Sequence, residues 1–136
     1  LSRSYPEDRL RADLRLGRYA AANSKAAAIE GLDPRLAALT TRAASLGREG
    51  ADVLDLEKEA RVAMSRRDVS AALAWLDLAS LRGSADLDTV ASALRAVVET
   101  GADPREALGP RLHEGWRAEF DSCRGIRLDP ARPSAQ

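Results

Sequence analysis

The chain has 136 residues, and its 21 basic and 21 acidic side chains cancel to zero net charge. That length suits one domain with a real core. The even balance weighs against a broadly cationic surface for nucleic acid or anionic lipid. Val, Ile and Thr together number only twelve against an Ala- and Leu-rich background, which argues against a sheet-built fold. No apolar run nears the ~18–20 residues that a membrane span requires, so membrane insertion is not expected. One Cys and one His leave neither a disulfide framework nor a Cys/His metal site, and no cofactor is expected. Arg outnumbers Lys nineteen to two, which reads as a coding bias of a bacterial source. The expected compartment is cytoplasmic by default, with a periplasmic or secreted placement left open, because a cleaved signal would leave no trace.

The punctuation predicts a string of helices near 5–16, 18–30, 34–47, 52–66, 69–82, 86–100 and 104–122. Asp33, Asp68 and Asp103 recur at a spacing of 35, and each suits a helix N-cap. Pro34 and Pro104 follow two of them, at the position that tolerates proline best. Ser4 with Glu7, and Asp103 with Glu106, have capping-box spacing. Gly17, Gly31, Gly47, Gly50, Gly83 and Gly101 sit where helices should stop. The last helix is interrupted at Gly109-Pro110, since proline cannot continue the ladder. The stretch from Ala71 to Ala79 is apolar on nearly all sides, which predicts central burial. Leu112, Trp116 and Phe120 recur at i, i+4 and i+8, as in an amphipathic closing helix. Residues 1–123 therefore read as one helical domain, and 124–136 as a disordered or extended tail.

A helix–turn–helix unit of 34–35 residues belongs to α-solenoid repeats. Gly17, Tyr19, Ala20 to Ala22 and Pro34 resemble the tetratricopeptide repeat, and the later units are degenerate. The resemblance implies an all-α solenoid of about three repeats with a C-terminal capping helix. It also implies that the first helix of each pair lines a concave surface. The family's clamp for a chaperone-tail carboxylate is missing, because Glu7, Arg11, Ala43, Ala74 and Leu78 stand at the comparable places.

The resemblance makes the expected partner another protein or peptide segment, bound in that groove without catalysis. Arg11 and Arg15 lie on one face of the first helix and can pair bidentately with a carboxylate or phosphate. The same face, balanced by Glu7, Asp8 and Asp13, also reads as an ordinary solvated surface. Leu39, Arg42, Leu46, Asp77 and Leu81 would join Arg11 and Arg15 in the groove, while the leucines also read as core, Leu46 and Leu81 more so than as groove. Trp116 marks a second apolar face, and together with Trp75 and Phe120 it raises the alternative of a self-associating structural subunit. A small chaperone of the type III secretion kind is a further alternative. His113 and Cys123 are ten residues apart, about 15 Å along a helix, so a Cys–His dyad is not expected. The carboxylates at 52, 55, 57 and 59 are explained by the helix macrodipole and lack an EF-hand register.

Overall fold

Side chains that cap helices decide where most of these segments begin. The structure, a computed structural model, describes residues 4–46 and 49–127. The described residues form helices only: α1 (Ser4–Arg15), α2 (Tyr19–Ala27), α3 (Pro34–Ser45), α4 (Val53–Ser65), α5 (Val69–Leu81), α6 (Ala85–Thr100), α7 (Pro104–Leu108) and α8 (Pro110–Ser122). The carboxylates of Asp33, Asp52, Asp68 and Asp103 and the hydroxyl of Ser84 accept backbone N–H groups at the starts of α3, α4, α5, α7 and α6, which satisfies otherwise orphaned donors. Asp103 takes the amide of Arg105 at 2.9 Å, so its carboxylate bond is local and not the capping-box bond that its spacing suggested. The side chain of Ser4 and the whole of Gly47 lie outside the described residues.

Three of the connections are built alike. Leu16-Gly17-Arg18, Arg66-Arg67-Asp68 and Arg82-Gly83-Ser84 each join two helices. In each, the third residue donates its amide to a carbonyl five residues back: Arg18 to Asp13 at 2.8 Å, Asp68 to Ala63 at 2.9 Å and Ser84 to Ala79 at 3.2 Å. This closure places the middle residue in the left-handed region. Gly17 and Gly83 occupy it freely, at φ 79° and 106°, whereas Arg67 sits there at φ 61°. The Arg67 side chain accounts for the exception. Its guanidinium donates to the carbonyls of Ser122 at 2.8 Å and Arg124 at 3.2 Å, which covers the C-terminal end of α8.

Helix packing forms two rings that share one member. α1 packs on α2, α2 on α3, α3 on α5, and α5 back on α1. On the other side α5 packs on α4 and α6, α4 on α8, and α8 on α6 both directly and through α7. A uniform stack of helix pairs would set α3 against α4, but α3 lies instead on α2 and α5. The composition of α5 explains this. Val69, Ala71, Ala72, Ala74, Trp75, Leu76, Leu78 and Ala79 are all buried, so the helix offers apolar surface to both sides, and its alanines let neighbouring axes approach closely.

The 49–51 segment ahead of α4 docks against the turn between α1 and α2. The Gly50 amide donates to the Gly17 carbonyl at 2.9 Å. The Tyr19 hydroxyl reaches the Ala51 carbonyl at 3.4 Å, and the Glu49 carboxylate accepts the Ala20 amide at 3.0 Å, a cap for α2 supplied from another part of the chain. A Cβ on Gly17 would lie 2.8 Å from the Gly50 Cα, so this approach requires glycine. At the other end the described chain continues from α8 to residue 127. Ile126 packs against the core, and the Arg127 guanidinium lies 3.5 Å from the Val97 carbonyl. The remainder of the expected tail, 128–136, lies outside the described residues.

Two buried groups titrate above their ordinary values. Burial pushes up the Tyr19 hydroxyl, with the Arg82 charge opposing and Glu49 reinforcing. Burial also raises the Cys123 thiol, and Arg67 partly offsets that rise.

Two predictions follow from these elements. Arg67→Ala keeps a Cβ in the left-handed region and loses both carbonyl bonds, whereas Arg67→Gly loses the bonds but relieves strain of about 1 kcal/mol. The glycine variant should therefore unfold at a higher urea midpoint than the alanine variant. Because the folded-state pKa values of Tyr19 and Cys123 are raised, the unfolded chain releases these protons first. Their contribution is intact below the ordinary values of 9.0 for the thiol and 10.0 for the phenol and is lost as pH rises beyond them. Urea midpoints measured from pH 7 to 11 should fall across that range, and the fall should be shallower in Tyr19→Phe/Cys123→Ala.

Candidate partner-binding groove

Helices α1, α3 and α5 leave a shallow groove of about 270 Å³ along their exposed junction. Leu36 and Leu39 from α3 and Leu81 from α5 supply its apolar surface, and Arg11, Asp33, Arg35 and Asp77 its charge, with Asp33 also capping α3. Leu36 and Leu39 come one turn apart on α3, so the packing of α3 on α5 aims both at the same junction. Leu39 is 8% exposed and belongs to the core as well as to the groove floor. Ser80 completes the wall and donates its hydroxyl to Asp88 at 2.8 Å.

The charges at the groove are unequal in freedom. Asp77 is the one charged residue of α5. It forms a short ion pair with Arg95 of α6 and a looser one with Arg35 of α3 at 3.6 Å. Its negative charge is therefore already neutralised. Arg11 touches Glu7 and Asp8 only at 3.9 Å, and the Arg35 side chain is 68% exposed. Such exposed pairs are weak and exchange readily. The groove thus presents two adaptable guanidinium groups beside an apolar floor.

Of the residues singled out from the sequence, Arg11, Leu39 and Asp77 are brought together here, and so is Leu81, which read from sequence more as core; Leu46 does not line the groove. Arg15 is exposed in the last turn of α1, and Arg42 is half-buried in the last turn of α3; neither lines the groove. Trp116 is elsewhere and is 3% exposed, so it offers no open face. The Arg61 guanidinium stacks over its ring at 3.8 Å and also bonds Glu57 at 2.8 Å, Glu119 at 2.9 Å and the Gly115 carbonyl at 3.0 Å. Burial lowers the pKa of that guanidinium, and the bonds and charges of Glu57 and Glu119 more than restore it, so the net shift is upward. The cluster joins α4 to α8. Trp75 and Phe120 are buried too, which removes all three aromatic rings as an exposed association face. Asp13, read from sequence as part of a solvated face, is 5% exposed and paired with Lys25 of α2.

Sequence reasoning missed Arg35 as a groove residue. It stands at i−4 to Leu39 and i−7 to Arg42, a helical register that was available. Its place in the Asp33-Pro34-Arg35 triplet drew attention to capping instead. Among the described residues no His, Cys, Asp and Glu side chains gather into a metal-holding cluster, and no helix is long and apolar enough to cross a membrane. Cys123 is buried with its thiol 3.6 Å from the Met64 carbonyl. No protein-family model, curated protein or solved structure matches the chain.

The two ion pairs of Asp77 should differ in worth. Arg95→Ala strands a mostly buried carboxylate and should lower stability by about 1–3 kcal/mol. Arg35→Ala should cost less than about 0.5 kcal/mol, because that guanidinium is solvated. Chemical denaturation of the two variants side by side reads the difference.

Proposed function

We propose that the chain is a non-catalytic protein–protein interaction module whose α1–α3–α5 groove holds an extended or helical segment of a partner. The observation that carries this reading is the convergence of half-buried Arg11 and exposed Arg35 on an apolar floor made by Leu36, Leu39 and Leu81. A segment that places an acidic side chain next to one or two aliphatic ones would complement that surface. The carboxylate would displace the weak pairs of Arg11 or Arg35, and the guanidinium fork suits a bidentate bond. The apolar side chains would cover the leucines. The small volume suits a few side chains of a peptide better than a whole metabolite.

The tetratricopeptide-like solenoid belongs to the same proposal. What supports it is the α1–α2 and α5–α6 hairpins with their matching turns, and a groove lined by α1, α3 and α5, which this reading makes the first helices of successive pairs. In this reading the separation of α3 from α4 is a local departure, and the set of α3 on α5 closes the groove floor. Self-association is a second reading. The observation that favours it is the exposure of Leu54 and Val62 on α4, at 66% and 45%.

Quantitative affinity capture compares the chain with Arg11→Glu/Arg35→Glu and with Leu54→Glu/Val62→Glu. The proposal expects a bound protein that the groove variant loses by at least about tenfold and the α4 variant retains. Equal capture by the chain and the groove variant would remove the groove as the interface. A monomer–dimer equilibrium abolished by the α4 variant would favour self-association.

A further inference from the structure

A second cleft, of about 390 Å³, lies on the opposite ring between the C-terminal end of α6, α7, α8 and the turn at 124–127. Val97 and Phe120 form its apolar base, and four arginines and the single histidine reach it. Arg11, Arg35, Arg61, Arg95, Arg111 and Arg124 all have carboxylate partners. Arg105 and Arg117 have no ion pair among the described residues, although both line the same cleft.

The two carboxylates at the cleft are already engaged. Asp103 accepts the Arg105 amide at 2.9 Å as the cap of α7, and Asp121 pairs with Arg124 at 3.0 Å. Arg127 is the third cation with spare capacity. Its Nη1 is held by the Val97 carbonyl at 3.5 Å and by its own Ile126 carbonyl at 3.1 Å, which leaves Nη2 and Nε. A Cβ at position 101 would stand 2.6 Å from that Nη2, so Gly101 is what lets the guanidinium lie there. Among the described residues Arg105, Arg117 and Arg127 have no ion pair, Asp121 is matched by Arg124, and Asp103 is the one carboxylate left to offset three cations, so the cleft keeps a net positive charge that an anion would relieve. Their planar donor forks match phosphate and carboxylate oxygens, and the volume suits a small molecule.

We propose that this cleft binds a small multivalent oxyanion, a phosphate ester or a polycarboxylate, between Arg105, Arg117 and Arg127, with His113 as a further donor. The site is independent of the α1–α3–α5 groove, and an effector bound here would couple the 124–127 turn to α6, α7 and α8.

Calorimetric titration of the full chain with pyrophosphate, and separately with citrate, at ionic strength held constant with sodium chloride, tests the assignment. Saturable binding at one site is expected. Arg105→Ala/Arg117→Ala, at two exposed positions, should weaken it at least about tenfold with an unchanged helical circular-dichroism spectrum. Arg11→Ala should bind as the unaltered chain does. Tighter pyrophosphate assigns the site to phosphate esters, and tighter citrate to polycarboxylates. Absence of saturation up to about 10 mM with both anions, or equal affinity in the double variant, overturns the proposal.

Discussion

The burial of α5 on all but its Ser70-Leu73-Asp77-Ser80 face is the constraint on which the other elements depend. A helix with one apolar stripe can complete one layer of neighbours. This one has apolar surface around its circumference, and only neighbours on both sides can cover it. α1 and α3 take one side, α4 and α6 the other. The two four-helix rings follow from that requirement, and so does the separation of α3 from α4. The alanines of α5 set how near its neighbours come, and Trp75, Leu76 and Leu78 fill the volume between them. Each fully buried Leu contributes about 1.5–3 kcal/mol relative to exposure, so this shared helix is also where apolar stabilisation is concentrated.

Polar bonds join the elements that apolar packing brings close. Asp77, the lone charge on the shared helix, reaches Arg35 in one ring and Arg95 in the other. Arg61 links α4 to α8 through a carboxylate on each helix and a tryptophan face. Arg67 accepts an unfavourable backbone conformation and uses its side chain to cover the end of α8. A neutral chain whose cations are nearly all arginine can satisfy its carboxylates with forked donors at many junctions. The groove and the cleft are where such guanidinium groups gather beside apolar surface.

The groove and the cleft lie on different rings, so a partner and an anion would not compete for the same atoms. The groove depends on α3 resting against α5, because that contact aims Leu36 and Leu39 at the junction where Arg11 projects from α1. The cleft depends on the turn at 124–127, which returns the chain over α6 and places Arg127 against Gly101. Each arrangement brings together side chains from three or more segments distant in sequence.

Local chemistry determined the helices. Capping aspartates at 33, 68 and 103, prolines at 34, 104 and 110, and glycines at 17, 83 and 101 act within one turn of chain, so their effects are legible without a fold. The all-round apolarity of α5 was legible for the same reason, and it announced central burial. Arg11, Leu39 and Asp77 were within reach of sequence reasoning because the resemblance to helix-pair repeats set the first, third and fifth helices around one groove. The burial of Trp116 was not legible, since an i, i+4, i+8 stripe reads alike whether another helix or solvent faces it. The use of Asp77 by Arg35 and Arg95, the cap that Glu49 supplies to α2, and the cleft joining residues 97 to 127 were decided by tertiary structure alone. Such contacts join residues 18 to 42 positions apart in the chain, and their existence depends on which helix covers which face of α5.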